Sequence, residues 1–197
     1  MSNPPSLLTT SRGTFRVAID GSPDAPALVL SNSLGTTLEM WDAQVAALSA
    51  SHRLIRYDTR GHGGSPVTPG PYRMDDLGQD VLALLDALNI DQAYFCGISM
   101  GGHTGLLLGV HAVTRMRGIA VCNSAAKNGT TQAWQERAAT VRSQGAAAMQ
   151  ALADSAPGRW FTPGFTQAHP DIVQRAQAWI AGIAPEGYAA CCEALAT

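Results

Sequence analysis

A serine between two glycines is the first feature of this sequence that could do chemistry. Residues 97–101 read G-I-S-M-G, after a β-rich apolar run and before a helical pattern. A sharp strand-to-helix turn of the G-x-S-x-G type projects the serine hydroxyl from the edge of a sheet, where it can attack a carbonyl carbon. We therefore predict that Ser99 is a nucleophile. The alternative is a Gly/Ser-rich turn with a purely geometric purpose.

A second polar turn follows the apolar run at residues 27–31. Residues 31–35 read S-N-S-L-G. Acyl transfer at such a serine needs two backbone N–H groups aimed at the developing oxyanion, one from this loop and one from the residue after the nucleophile. We predict that Leu34 and Met100 supply them. The alternative is a polar turn without a catalytic part.

A third loop, at residues 58–65, contains a histidine among glycines and reads D-T-R-G-H-G-G-S. The histidine invites assignment as a general base, but we favour a structural role for the loop. We expect it to brace the carboxyl edge of the sheet, with Arg60 paired to Asp58. His62 is not assigned as the base.

Apolar patterning predicts the elements that position these loops. A hairpin turning at Arg12–Gly13 begins the fold, and strands are expected at residues 15–20, 27–31, 53–57, 93–97 and 118–122. An amphipathic helix with Asp75 or Asp76 as its N-cap lies between two of these strands. Its apolar stripe consists of Leu77, Val81, Leu84, Leu85 and Leu88. Alternating strands and helices predict an α/β fold with a mostly parallel sheet.

The strand signal stops near residue 125, and Ala-rich helical segments with Gly and Pro breaks follow. We predict a core at residues 1–125 and a helical cap, or lid, over the active site at residues 126–197. The alternative for the second segment is a helical subdomain that packs its own core. This segment also holds a large share of the aromatic residues: Trp134, Trp160, Phe161, Phe165 and Trp179.

Composition excludes several classes of protein. Of the 197 residues, 46% are hydrophobic and 14% charged, and the net charge is −2, so neither disorder nor binding to nucleic acid or a membrane surface is expected. The N-terminus lacks the cationic and apolar regions of a signal peptide, and no run could cross a bilayer, which predicts a cytoplasmic protein. The four cysteines have no metal-ligand spacing and are predicted to be small buried hydrophobes.

Taken together, these motifs resemble the α/β-hydrolase superfamily and, within it, the 3-oxoadipate enol-lactone hydrolases of the bacterial β-ketoadipate pathway. The generic part of the resemblance is G-x-S-x-G and R-G-H-G. The narrower part is L-S-N-S-L-G-T at 30–36, N-S-A at 123–125 and G-Y-A-A-C-C at 187–192, with Asn32–Ser33 where many α/β-hydrolases have His-Gly. The resemblance implies hydrolysis of a small lactone through an acyl-enzyme on Ser99, without cofactor or metal.

The implied substrate carries a free carboxylate, which must lose water on binding, so a cationic or N–H donor is expected in the cap. Candidates for substrate binding are Trp134, Arg137 and Arg159. The alternative is that these arginines face solvent, as most surface arginines do.

The chain departs from the family in its triad. The superfamily order is Ser, then Asp or Glu, then His. The histidines after the elbow are His103, His111 and His169, none of them follows a strand beyond the cap, and none is assigned as the base. We therefore expect the C-terminal strands to be missing, about 60 residues of strand-helix units. The strand ending at Cys122 should then be an unpaired edge, and the helix after Ser99 uncovered.

Without a triad acid and base, the isolated chain is predicted to be weak or inactive. Three alternatives remain open: a C–C bond hydrolase of ring-cleavage products, a general carboxylesterase, and a non-catalytic module on a truncated hydrolase scaffold. Dehalogenases and epoxide hydrolases of the superfamily generally place Asp at the elbow, which Ser99 argues against. The oligomeric state is not determined by the sequence.

Overall fold

The computed structural model describes residues 3–197, which form one six-stranded sheet in the order β1-β2-β4-β3-β5-β6. Strands β1 and β2 form an antiparallel hairpin, and β2 also runs antiparallel to β4. Strands β4, β3, β5 and β6 are parallel to their neighbours. The strands are β1 (Ser6–Thr10), β2 (Gly13–Asp20), β3 (Ala27–Ser31), β4 (Arg53–Tyr57), β5 (Ala93–Ile98) and β6 (Met116–Cys122).

Helices connect the parallel strands, which confirms the predicted α/β fold and its N-terminal hairpin. A 3-10 turn (Leu38–Trp41) leads into α1 (Asp42–Leu48), and α2 (Met74–Ala87) and α3 (Met100–His111) flank β5. A second 3-10 turn (Val113–Arg115) precedes β6. All five predicted strands are present, and each bound lies within about two residues of the prediction.

The predicted N-cap of α2 was wrong. Arg73, and not an aspartate, is the N-cap, and the helix begins at Met74. Asp75 and Asp76 lie within the first turn, where the carboxylate of Asp76 accepts a hydrogen bond from the N–H of Arg73 at 3.0 Å. Asp76 therefore stabilises the start of the helix by accepting a hydrogen bond from the N–H of Arg73. Both carboxylates also interact favourably with the positive end of the helix dipole.

The sheet separates two apolar cores. On one face α2 and α3 pack against side chains that include Phe15, Val29 and Phe95. On the other face α1 covers Leu28 and Leu54. A sheet buried on both faces needs nearly continuous apolar strands, which explains why all of β3 is buried.

A layer of helices follows β6, and no strand occurs after Cys122 in the part of the chain that is described. The helices are α4 (Thr131–Gln144), α5 (Ala146–Ser155), α6 (Pro157–Trp160), α7 (Pro163–Ala168), α8 (Pro170–Gly182) and α9 (Pro185–Leu195). One apolar cluster joins this layer to the core, because Leu34, Met74 and Met100 pack with Met149 and Ile180. The division at residue 125 stays a prediction.

Strand β6 lies at the edge of the sheet, and within residues 3–197 no strand pairs with its outer side. Val121 on this strand is 37% exposed, and Val110 on α3 is 73% exposed. The predicted unpaired edge is therefore present, whereas α3 is exposed only in its last turn, at residues 109–111. None of the helices described is long and apolar enough to span a bilayer.

All four cysteines are unpaired thiols, two buried in α9 and two half-buried in the sheet. Burial raises the pKa of Cys192 to about 12 and, together with the neighbouring Cys122, that of Cys96 to about 11. Both thiols are thus protonated at neutral pH, which fits the prediction that they behave as small hydrophobes. In residues 3–197 no group of three or more metal-type side chains comes together.

Candidate active site

Ser99 occupies a strained turn between β5 and α3. Its backbone has φ 54° and ψ −115°, a region that non-glycine residues rarely adopt and that costs of the order of 1–3 kcal/mol. Two hydrogen bonds hold the turn: the N–H of Ser99 donates to the carbonyl of Cys122 at 3.0 Å, and the Ser124 hydroxyl donates to the carbonyl of Ser99 at 2.7 Å. The end of β6 therefore fixes the backbone of the elbow.

The glycines around Ser99 are required by close backbone contacts. A Cβ on Gly97 would lie 2.1 Å from the carbonyl oxygen of Gly101, and a Cβ on Gly101 would lie 2.3 Å from that of Ser31. Any side chain at either position would push the helix away from the strand or from the neighbouring loop. The glycines of G-x-S-x-G thus allow α3 to start directly against the sheet.

The loop after β3 lies beside the elbow because β3 and β5 are parallel neighbours, with Ser31 opposite Gly97. The N–H of Gly101 donates to the carbonyl of Asn32 at 3.0 Å and joins the two segments. The Asn32 side chain is buried, accepting from the indole N–H of Trp41 at 2.9 Å and donating to the carbonyl of Tyr57 at 2.8 Å. Asn32 therefore anchors this loop and does not point at a ligand.

The two predicted oxyanion donors lie on these adjoining segments. Leu34 and Met100 pack in the same apolar cluster, and both are buried. Across residues 3–197, neither backbone N–H donates a hydrogen bond to a protein acceptor. An N–H without a protein acceptor can donate to a ligand or to water. Their role as an oxyanion hole stays a prediction.

The loop at residues 58–65 braces this edge as expected, but the predicted pair between Arg60 and Asp58 was wrong. Arg60 makes a bidentate contact with Asp80 on α2, with N–O distances of 2.7 and 2.5 Å. Asp58 instead accepts from Arg16 at 3.0 Å and from the N–H of Leu38 at 2.8 Å. The two side chains connect the loop to different elements, so the loop is held at both ends.

Ser99 opens into a cavity of about 430 Å³ between the sheet and the helical layer. Ser99 is half-buried and is one of its lining residues. The core side of the cavity is formed by Ser33, Thr36, Met40, Ile98, Ser99 and Asn123. The helical layer contributes Arg159, Trp160, Phe161, Ile172, Ala176 and Trp179. Seven of these twelve side chains are apolar and five are polar, and a cavity that combines an apolar lining with polar groups is typical of a site for a small organic molecule.

Only one of the three predicted substrate-binding residues lies in this cavity. Arg159 lines it, next to Trp160. The guanidinium of Arg137 lies 5.0 Å above the ring of Trp134, and Arg137 lines a separate, apolar groove between α4 and α5. The indole N–H of Trp134 donates to the carbonyl of Asn128. Arg159, itself exposed, is thus brought to the cavity of Ser99, whereas Trp134 and Arg137 are not, and the substrate-binding role of all three stays a prediction.

No histidine and no carboxylate lines the cavity among the residues described. His103 lies on α3 one turn after Ser99, and its Nδ1 is buried without a hydrogen-bond partner in residues 3–197. His111 is exposed at the end of the same helix, and His169 packs against Phe165 with 4.6 Å between ring centres. The described lining of the cavity thus includes the Ser99 hydroxyl but no side-chain base, and Leu34 and Met100 are not among the lining residues.

Sequence reasoning missed several residues of the site. Asn123 has φ 44° directly after β6 and lines the cavity, as does Trp179 on α8. The position of Asn123 after a parallel strand could have indicated it, since the carboxyl ends of such strands meet at one edge. For Trp179 the sequence holds only the concentration of aromatic residues in the helical layer.

Comparison with known proteins extends these observations. The model of the alpha/beta hydrolase fold family matches residues 26–166. The chain is 51% identical over 189 residues to 3-oxoadipate enol-lactonase 2 of Acinetobacter baylyi, covering 96% of this chain and 70% of the relative. It is 46% identical over 198 residues to 3-oxoadipate enol-lactonase 1 of the same organism, covering 100% and 73%.

A solved structure agrees with the sequence relatives. The crystal structure of the enol-lactonase from Burkholderia xenovorans LB400 superimposes with a TM-score of 0.92 at 43% identity. The alignment covers 98% of this chain and 74% of that one. The chain is therefore similar to these proteins over nearly its whole length, while spanning about three quarters of theirs.

Proposed function

Because the chain belongs to the α/β-hydrolase family and is a homologue of the 3-oxoadipate enol-lactonases, we propose that its site opens a small enol-lactone carrying a free carboxylate. The observation that carries the proposal is the position of Ser99, which lies in a strained elbow and lines a cavity together with Arg159. The product would be the open-chain keto acid, 3-oxoadipate.

In the proposed reaction the hydroxyl oxygen of Ser99 attacks the lactone carbonyl carbon. The negative charge that develops on the carbonyl oxygen is stabilised by the N–H groups of Leu34 and Met100, which have no protein acceptor in residues 3–197. The ring C–O bond then breaks, and the leaving enolate oxygen takes up the proton that the Ser99 hydroxyl loses. The enol formed in this way tautomerises to the ketone. Water hydrolyses the acyl-enzyme, releases the acid and restores Ser99.

Arg159 is the proposed partner of the substrate's free carboxylate. Its guanidinium provides up to five N–H donors in a plane, which matches a carboxylate better than an ammonium group does. The nearest internal partner is the hydroxyl of Ser155, at the long distance of 3.4 Å, so the guanidinium is available to a ligand. The aromatic and aliphatic side chains beside it would cover the lactone ring.

The Ser99 proton has no side-chain acceptor in the cavity among the described residues. Removing triad members from a serine hydrolase still leaves about 10³–10⁴-fold catalysis over water, because binding and the oxyanion donors remain. We therefore propose that the 197-residue chain by itself hydrolyses the lactone slowly and in a Ser99-dependent manner.

The test follows the loss of enol-lactone absorbance with the purified chain and two variants. Ser99→Ala should lower the rate to the residual that binding and the oxyanion donors give without a nucleophile, whereas Ser143→Ala, an exposed serine on α4, should leave the rate unchanged. Equal rates for the wild-type chain and Ser99→Ala would refute the proposal. Turnover at the rate of a full-length relative would refute the inference that a base is lacking, and faster hydrolysis of neutral esters would favour a general carboxylesterase.

A further inference from the structure

His62 is buried beneath the loop that carries Leu34, and its ring makes two hydrogen bonds. Its Nε2 accepts from the N–H of Gly35 at 2.9 Å. Its Nδ1 lies 3.2 Å from the carbonyl oxygen of Arg60. Because a carbonyl only accepts, the proton is on Nδ1, and Nε2 keeps the lone pair that Gly35 requires. The loop geometry is thus compatible only with the neutral ring in this tautomer.

Gly35 also lies against the helical layer. It has φ 82°, and a Cβ at this position would lie 3.3 Å from the Tyr188 ring and 3.4 Å from Ile180. The N–H of Thr36 donates to the carbonyl of Ser33 at 3.2 Å and closes the turn. With Gly35 hydrogen-bonded to His62 and packed against α8 and α9, the peptide that joins it to Leu34 has little freedom.

Resting on the proposed function, we propose that His62 is a positioning residue for the oxyanion site: its hydrogen bond to Gly35 fixes the direction of the adjacent Leu34 N–H. His62 does not line the cavity and would not touch the substrate. It would act on the reaction only through the backbone, by holding one donor where the oxyanion forms. Such preorganised donors contribute because they need not reorient during the reaction.

The surroundings of His62 favour a neutral ring. The Arg60 guanidinium is occupied by Asp80, and the Asp58 carboxylate by Arg16 and two backbone N–H groups. From α9, the protonated thiol of Cys191 donates to the Arg60 carbonyl at 3.4 Å and lies 4.0 Å from Nδ1. Burial lowers the pKa of His62 to about 4, so Nε2 is an acceptor at neutral pH.

The experiment compares His62→Leu, which cannot accept a hydrogen bond, with His62→Gln, whose Oε1 can replace Nε2. The measured quantity is the second-order rate of Ser99 labelling by a fluorophosphonate, followed by intact mass, since the labelled adduct also develops an oxyanion. We expect labelling of His62→Leu to fall about 100-fold, as for loss of one oxyanion donor, and that of His62→Gln to return to within about tenfold of wild type. The dissociation constant of 3-oxoadipate, which needs no oxyanion donor, should stay the same in all three proteins.

Labelling of His62→Leu at the wild-type rate would overturn the proposal. Weaker binding of 3-oxoadipate by His62→Leu that accounts for the whole loss of labelling rate would also overturn it.

A second measurement needs only the wild-type chain and does not depend on reactivity at Ser99. In ¹⁵N–¹H spectra recorded during acidification, protonation of His62 should shift the amide resonances of Gly35 and Leu34 with one midpoint. If the Gly35 amide resonance shifts on acidification while the Leu34 amide resonance does not, the proposal is refuted. This outcome can be read even if His62→Leu fails to fold. If the fluorophosphonate does not label the wild-type chain but the Gly35 and Leu34 amide resonances shift together, only the proposed function is refuted.

Discussion

Acidification is expected to destabilise this chain through His62. The ring is fully buried, and burial lowers its pKa from 6.5 to about 4, while the backbone contact to Arg60 opposes this only in part. In the unfolded chain the histidine regains an ordinary pKa near 6.5. Between pH 4 and 6.5 the unfolded state therefore binds more protons than the folded state, and stability falls as the pH falls through this window.

The size of the effect follows from the two pKa values. A change from 6.5 to about 4 corresponds to about 3 kcal/mol at 1.36 kcal/mol per unit. This contribution is complete above pH 6.5 and is lost as the pH approaches 4. Since small domains have free energies of unfolding of about 5–15 kcal/mol, one histidine removes a large share of the total.

Urea unfolding followed by tryptophan fluorescence at several pH values measures this effect. The wild-type chain is compared with His62→Gln, which keeps a hydrogen-bond acceptor but cannot be protonated, and with His111→Gln at an exposed position on α3. The difference in unfolding free energy between wild type and His62→Gln should change by about 3 kcal/mol between pH 7 and 4. The difference for His111→Gln should stay within about 0.5 kcal/mol. Parallel pH profiles for wild type and His62→Gln would refute the reasoning.

Three further predictions concern the elbow, the brace and the cavity. Gly97→Ala should lower the unfolding free energy in urea by roughly 3 kcal/mol, because its Cβ would lie 2.1 Å from a carbonyl oxygen, whereas Gly158→Ala, with nothing within 4 Å, should not destabilise. Asp80→Asn should cost about 3–5 kcal/mol in the same measurement by leaving a buried guanidinium without its carboxylate, while exposed Asp75→Asn should change it by less than about 1 kcal/mol. Arg159→Met should weaken binding of 3-oxoadipate about tenfold in calorimetric titration, as expected for loss of a charged hydrogen bond, and unchanged affinity would exclude Arg159 as the carboxylate partner.

Much of the fold could be predicted because the relevant patterns are local. The strand at residues 27–31 is apolar at nearly every position, and α2 repeats apolar residues at helical spacing, so each element follows from its own segment. The elbow is local as well, since the glycines that permit its close contacts lie within two residues of Ser99. The bounds of α2 were less well predicted because its N-cap depends on which residue adopts an extended backbone.

The partners of the site residues could not be predicted in the same way. Arg60 pairs with Asp80, 20 residues away, and not with Asp58, because the loop turns its guanidinium toward α2. Arg159 reaches the cavity, while Arg137, on a longer and more regular helix, lies over Trp134. Periodicity reports which face of an element is apolar, but a contact between distant segments depends on how the elements pack. The sequence by itself therefore determined the strands, the helices and the serine elbow, and only the tertiary structure decided which side chains meet at Ser99.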